Sequence, residues 1–377
     1  MKILQINASY KPAYIYGGPT MSVSKLSEQL VNNGCTVQVF TTTANGLTEL
    51  PAFEQIPVEV NDVTVYYFKR ITKDHSHFSP RLLAAVWQQV KKFDVVHIHA
   101  WWNTVSILSC LIAIMRGVPV VVSPRGTLSS YSFHNKNAFI KKCIHHLLSK
   151  PLLGRSYIHA TSHYEKMALQ QIIVPKQIIT IPNFIELAEV VQLKNNDFTG
   201  PLKLLFFSRI EEKKGLDILL NALKTVTIPY HLTIAGSGEP SYINSLKAIA
   251  QQNNITGHMS WVGFQGENKF GVLANHHLLV LPSYDENFGN VVIESLCVGT
   301  AVLISQQVGL AGYVRDNNLG WICNTDANSV ADAINQIDRQ KLKVIAVSAP
   351  AVITRDFNEE NLLKKYTDMY QQIIQHG

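Results

Sequence analysis

Short apolar runs of strand length alternate with longer amphipathic stretches along nearly the whole chain of 377 residues. The alternation breaks once, around residues 186–201. In the first half the strand-like runs are Ile3–Ile6, Thr36–Thr42, Val95–His99, Val118–Ser123, Tyr157–Thr161 and Ile178–Ile181. Helical patterns fall between them at Ser22–Asn32, Pro80–Lys92, Thr104–Met115, Asn137–Ser149 and Ser162–Gln171. A strand, a helix and a further strand in one sheet form a right-handed crossover, so the strands run parallel. Val58–Val60 and Val63–Phe68, split by Asn61-Asp62, read instead as a small antiparallel ribbon. After the polar run Lys194–Asp197 and Gly200-Pro201 the pattern restarts at Lys203–Ser208. It continues through Leu232–Ala235, Met259–Val262, Leu278–Leu281, Val302–Ile304 and Gly320–Ile322. The expected class is α/β, with two doubly wound Rossmann-like domains at 1–185 and 202–356 and a linker at 186–201. A last amphipathic helix, Glu359–Gln375, has no strand after it, so the segment 357–377 is expected to cross back and brace the first domain.

Composition narrows the partners. Hydrophobic residues make up 46% and charged residues 16% of the chain, the balance of a well-buried globular protein. The net charge of +6 is spread along the sequence without clustered cations and interleaved aromatics, so nucleic acid is not expected. An anionic small molecule or a membrane surface accounts for the sign equally well. Five cysteines without CxxC spacing argue against a disulfide framework or a zinc site, and for a reducing, cytoplasmic setting. The apolar N-terminal run is too short for a signal peptide. Val105–Val122 is interrupted by Arg116, Gly117 and Pro119, so it reads as a buried helix and strand rather than a span. The stretch 136–155 carries Lys136, Lys141, Lys142, His146, Lys150 and Arg155 among Ile144, Leu147 and Leu148. It is either a peripheral membrane contact or a solvated helix face.

In doubly wound sheets ligands bind beyond the carboxyl ends of the strands, and the motifs of this chain stand there. Gly17-Gly18 precedes the first helix and can let phosphate approach the backbone. His97 and His99 share one face of a strand end; no third ligand has metal spacing, so one is expected in the core and the other, His99, along the cleft. Arg125 follows the fourth strand, where it could hold an acceptor oxygen or phosphate, or bridge the domains. Arg209 and Lys214 are five residues apart across a turn and can converge on one anion. Gly236-Ser237-Gly238 ends the next strand. Last, Leu278–Leu281 leads into Glu286-Asn287-Phe288-Gly289 and a helix from Asn290 to Val298, with Glu294 eight residues after Glu286. A helix start with unpaired N–H groups, flanked by two carboxylates, suits a diphosphate with hydroxyls on either side, as in a sugar nucleotide.

In these elements the chain resembles glycosyltransferase family 4, retaining transferases of the GT-B fold, over essentially its whole length and most strongly from Phe207 to Gly309. The resemblance implies two Rossmann-like domains facing across a cleft, and transfer of a hexose-type sugar from a sugar nucleotide to a glycan or lipid-linked acceptor. It implies that Arg209 and Lys214 neutralise the diphosphate and that Glu294 holds the ribose. Glu286 and the amides around Phe288, Gly289 and Asn290 would hold the sugar and β-phosphate, with the base near Val262-Gly263-Phe264. Gly17 and Gly18 would close on the diphosphate, and the loop of Gly236 and Gly238 would line the donor site. No metal or other cofactor is implied, and no D-x-D sequence occurs. Many members have His where this chain has Arg125; a similar Ser-Pro-Arg-Gly occurs among polysaccharide-building members. An epimerase or phosphorylase on the same fold, or a silent sugar-nucleotide-binding subunit, is the competing reading.

Overall fold

The computed structural model describes residues 1–51, 56–129, 131–132, 138–188, 198–266 and 268–376. Two units divide the chain: Met1–Phe184 with Glu359–Gly377, and Ile185–Asn358. Most of the expected linker lies outside the described residues.

The first unit is built on an eight-stranded sheet. Its strands are β1 (Lys2–Asn7), β2 (Thr36–Thr42), β3 (Val58–Val60), β4 (Val63–Phe68), β5 (Val95–His99), β6 (Val120–Ser123), β7 (Tyr157–Ala160) and β8 (Gln177–Thr180). Their order is β8-β7-β6-β5-β1-β2-β4-β3, parallel throughout except for β3, which pairs antiparallel with β4. Chain order reverses between β1 and β5, so the loops after those two strands flank a switch point. The first helix, α1 (Gly18–Asn32), starts four residues before the expected Ser22. Pro19 sits in its first turn, where a missing N–H costs no intrahelical bond. Strand β6 begins at Val120 rather than Val118, because Pro119 has no N–H to give the ladder. The expected helix over Asn137–Ser149 is Ala138–Ile144 followed by wider turns at His145–Ser149; its first residue is outside the described set.

The final helix, α2 (Glu359–His376), belongs to this unit. Leu362, Tyr366, Met369, Tyr370 and Ile373 form its buried stripe. They share a core with Val23, Leu26 and Leu30 of α1 and with Ile3 and Val37 of the sheet.

The second unit holds a six-stranded, wholly parallel sheet. Its strands are β9 (Leu202–Phe207), β10 (Tyr230–Ala235), β11 (Met259–Gly263), β12 (Leu278–Leu281), β13 (Ala301–Ser305) and β14 (Gly320–Cys323). The order β11-β10-β9-β12-β13-β14 reverses between the two central strands, β9 and β12. Both are covered on each face, which is why Leu278–Leu281 is an unbroken apolar run with all four residues buried. Among the described residues no helix is long and apolar enough to cross a membrane.

Candidate active site

The switch point of the second sheet brings together the loops after β9 and β12, and both carry charge. After β9 the chain makes a short turn, Glu212–Lys214, closed by Gly215 in the left-handed conformation at φ 71°. A Cβ on Gly215 would lie 2.2 Å from the carbonyl oxygen of Pro282, so only glycine lets the two loops touch. Tyr284 N donates to Lys213 O at 2.9 Å, and Tyr284 Oη donates to Asp217 Oδ2 at 2.9 Å. The side chains then pair in parallel: Lys213 Nζ lies 2.7 Å from Asp285 Oδ2, and Lys214 Nζ bonds Glu286 Oε2. Two consecutive lysines thus meet two consecutive carboxylates. The Glu286 backbone is pinned from the next loop, donating to Gln307 O at 3.0 Å and accepting from Gly309 N at 2.7 Å.

Burial alone would push the Glu286 carboxyl up. The Lys214 charge and hydrogen bond, with the charges of Lys213 and Arg209, outweigh it and hold the pKa below the ordinary value. Glu286 is therefore a carboxylate in a field of three cations. Arg209 does not converge with Lys214 on one atom, as its spacing suggests. Its guanidinium pairs with Glu211 at 3.1 Å and reaches Glu286 only through its field.

Two residues after Glu286 the Phe288 ring turns into the core, 6.4 Å from Phe357. Gly289, at φ 89°, caps the helix α3 (Asn290–Cys297), whose first amide groups start at Asn290. Glu294 is one turn in. It does not share a partner with Glu286; its Oε1 accepts from Lys269 Nζ at 3.0 Å, and Glu186 lies 3.9 Å from the same lysine. Burial raises the Glu294 pKa, Lys269 opposes, and Glu186 adds to the rise. The two carboxylates of the motif are thus driven in opposite directions.

The glycines after β10 pack closely on neighbouring backbone. A Cβ on Gly236 would fall 1.9 Å from Ser208 O, and one on Gly238 would fall 2.0 Å from Ile210 O. Their nearest neighbour is the backbone of the loop after β9, with which Gly238 forms a parallel bridge at Ile210. They position the Arg209 loop. Phe264, past the edge strand β11, is 70% exposed.

In the first unit, Gly17 is the cap of α1 and Gly18 its first residue. The expectation that one of His97 and His99 lines an open face is overturned: both are fully buried, and His159 joins them. Hydrogen bonds order these groups in one direction. Arg125 Nε donates to His99 Nδ1 (3.2 Å), so His99 Nε2–H must donate to Gln5 Oε1 (2.6 Å). Gln5 donates to Tyr370 Oη (3.3 Å), which donates to His97 Nδ1 (2.7 Å). His97 Nε2–H then donates to Ser123 Oγ (2.6 Å), Ser123 to His159 Nδ1 (2.6 Å), and His159 Nε2–H to Ile181 O (2.8 Å). Each imidazole gives one proton and accepts one, so all three are neutral. Burial, aided by neighbouring imidazoles and Arg125, holds their pKa values below 6.5. Arg125 bonds Ser22 and Asn183 besides His99 and makes no ion pair among the described residues.

Comparison with known proteins completes the assignment. The family model described as Glycosyltransferase Family 4 matches residues 16–189, and the one described as Glycosyl transferases group 1 matches residues 191–344. This chain belongs to the glycosyltransferases. An uncharacterised glycosyltransferase of Methanocaldococcus jannaschii is 25% identical over 411 residues, covering 98% of each chain. The lipopolysaccharide core biosynthesis glycosyltransferase LpsE of Rhizobium meliloti is 27% identical over 205 residues, 53% of this chain and 58% of that protein. The solved structure of Anabaena HepE in complex with UDP-glucose matches with a TM-score of 0.76 at 19% identity, over 99% of this chain and 100% of that one. At that identity the likeness shows the fold, which is GT-B.

Several charged residues of this glycosyltransferase escape a reading of its motifs. Lys213 and Asp285 had a signal in the doublets Lys213-Lys214 and Asp285-Glu286, opposite in sign and adjacent to motif residues. Lys269 had none, lying 25 residues before the carboxylate it pairs with. His159 and the tyrosines of α2 look like ordinary core residues until the sheet order puts them side by side. Among the described residues no group of three or more His, Cys, Asp or Glu is placed to hold a metal ion.

Proposed function

We propose that this glycosyltransferase moves a hexose-type sugar from a nucleoside-diphosphate sugar to a glycan or lipid-linked acceptor, in building a surface polysaccharide or glycolipid. The observation that carries the reading is the Lys214–Glu286 pair at the switch point of the second sheet, beside the start of α3. A bound donor replaces that pair. Its β-phosphate takes Lys214, and hydroxyls of its sugar take the ionised Glu286. Arg209 and Lys213 add positive field, and the amides from Asn290 onward face the phosphate. Glu294, a turn further on, takes the ribose, with the base toward Val262 and Phe264.

The chemistry follows from where charge grows. As the bond to the leaving phosphate breaks, negative charge builds on the diphosphate and positive charge on the sugar. Lys214, Arg209 and the helix amides stabilise the first without a metal. Glu286 is tied by its backbone to Gln307 and Gly309, so it orients the sugar rather than attacking it. The departing phosphate oxygen takes the acceptor proton, and attack on the same face retains the anomeric configuration. The complex of HepE with UDP-glucose and the role of LpsE in lipopolysaccharide core synthesis support the donor and product classes.

The enzyme is taken to work in the cytoplasm at the inner membrane face. Exposed Lys142, His146 and Lys150 surround Leu147, which is 77% exposed, so this part of 136–155 would form a peripheral membrane contact. Cosedimentation with anionic vesicles and not with neutral ones checks that contact. The function is tested by incubating the enzyme with sugar nucleotides and lipid-linked or glycan acceptors in EDTA, and reading the product anomer by NMR. A retained linkage formed in EDTA is expected. Conversion of the donor without acceptor would identify an epimerase instead, and an inverted product or a metal requirement would overturn the mechanism.

A further inference from the structure

Arg125 is a cation that the fold immobilises without neutralising. Its backbone sits in the left-handed region at φ 52°, which a residue with a Cβ adopts only when its surroundings hold it there. Nε donates to His99 Nδ1 at 3.2 Å, and Nη1 donates to Ser22 Oγ and to Asn183 Oδ1, each at 2.8 Å. All three acceptors are neutral. His99 is itself fixed at the head of the relay through Gln5, Tyr370, His97, Ser123 and His159, so the guanidinium plane has little freedom to turn.

The carboxylate whose charge reaches Arg125 from its own unit is Glu165, and its oxygens are occupied elsewhere. Oε1 accepts from Gly126 N at 2.9 Å, while Oε2 accepts from Thr161 N at 2.8 Å and Thr161 Oγ1 at 2.9 Å. Arg125 Nη2 has no hydrogen-bond partner among the described residues. Ser22 lies in α1, which starts at Gly18, so the positive end of that helix adds to the field on the same sheet edge.

We propose that Arg125 is the receptor for an oxyanion carried by the acceptor, a sugar carboxylate or a phosphate ester, which binds the N–H groups of Nη2. A planar fork with its plane already set suits either anion. The cost of ordering it has been met by Ser22, Asn183 and the relay. The assignment rests on the glycosyltransferase reading and adds to it the class of acceptor: an acidic one.

The test uses the whole enzyme with its donor site filled by a saturating nucleoside diphosphate. Methyl glucuronide, methyl phosphate and methyl glucoside are titrated in turn, followed by the side-chain nitrogen resonances of Arg125 and by calorimetry. The expected result is that one anionic probe binds about tenfold or more tighter than the neutral glucoside and shifts the Arg125 signals, as loss of a charge-assisted pair would predict. The stronger of the two anions names the source, carboxylate or phosphate. Arg125→Gln should abolish that preference, Arg125→Lys should keep part of it, and both should leave nucleoside diphosphate affinity nearly unchanged. No response to either anion, or equal binding of all three probes, overturns the proposal. An equal loss of nucleoside diphosphate in Arg125→Gln would move Arg125 to the donor and overturn it as well. Failure of the glycosyltransferase reading would show separately, as no nucleoside diphosphate binding in the wild type.

Discussion

The three-histidine relay makes the first unit sensitive to acid in a way that can be worked out. His97, His99 and His159 are fully buried and neutral, with pKa values held below 6.5, that of His159 at about 3. In the unfolded chain each titrates near its ordinary value. Between the two, the unfolded state binds the more protons, so stability is complete above pH 6.5 and falls as the pH drops from there toward the folded values. One pH unit below the unfolded value, each histidine that stays neutral in the folded protein removes on the order of 1 kcal/mol, and the three together remove roughly 3–4 kcal/mol. That is a large share of the 5–15 kcal/mol typical of a domain. His77, held at about 4 by burial and by Arg70, acts in the same direction. Hydrogen exchange read on peptides from β1 and β5, corrected for intrinsic rates, should lose about three decades of protection between about pH 7.5 and about pH 5.5. Nitrogen NMR should show all three rings with the proton on Nε2 across that range. A ring that titrates near its ordinary value in the folded protein, or a protection loss under about tenfold, would refute the relay.

Other substitutions separate packing from binding. Gly236→Ala drives a Cβ to 1.9 Å from Ser208 O and should cost about 2–4 kcal/mol by thermal melting, together with donor affinity. Gly200→Ala, with nothing within 4 Å of the new Cβ, should stay within about 0.5 kcal/mol and serves as the control. On the proposed ribose role of Glu294, Glu294→Gln should weaken nucleoside monophosphate and diphosphate by the same factor in calorimetry; a loss confined to the diphosphate would put Glu294 elsewhere.

Much of the fold is readable because parallel strands buried on both faces must be apolar along their whole length. Leu278–Leu281 therefore shows its bounds directly. Proline displaced two boundaries, at Pro19 and Pro119, where the missing N–H matters more than hydrophobicity. The site was half legible. Charges and glycines at strand ends mark where it is, because the sheet edge is where loops converge. Which charge meets which is a property of strand order: β12 lies beside β9 although 70 residues separate Phe207 from Leu278, and this pairs Lys214 with Glu286 rather than with Arg209's target. At Gly236 and Gly238 the close approach is of neighbouring backbone, which leaves the same residue in the sequence as a close approach of ligand. Gln5, Ser123 and Tyr370 carried no signal at all, because a relay is made by side chains from distant strands and the last helix.

The central claim is that Lys214 gives up Glu286 to hold the β-phosphate of the donor. Calorimetric dissociation constants of nucleoside diphosphate and monophosphate for the wild type and Lys214→Ala test it most directly. A charge-assisted contact of this kind is worth about 1.5–3 kcal/mol, so the diphosphate should weaken about 10- to 100-fold and the monophosphate less than about threefold. Equal losses for the two ligands, or no loss for either, would contradict it.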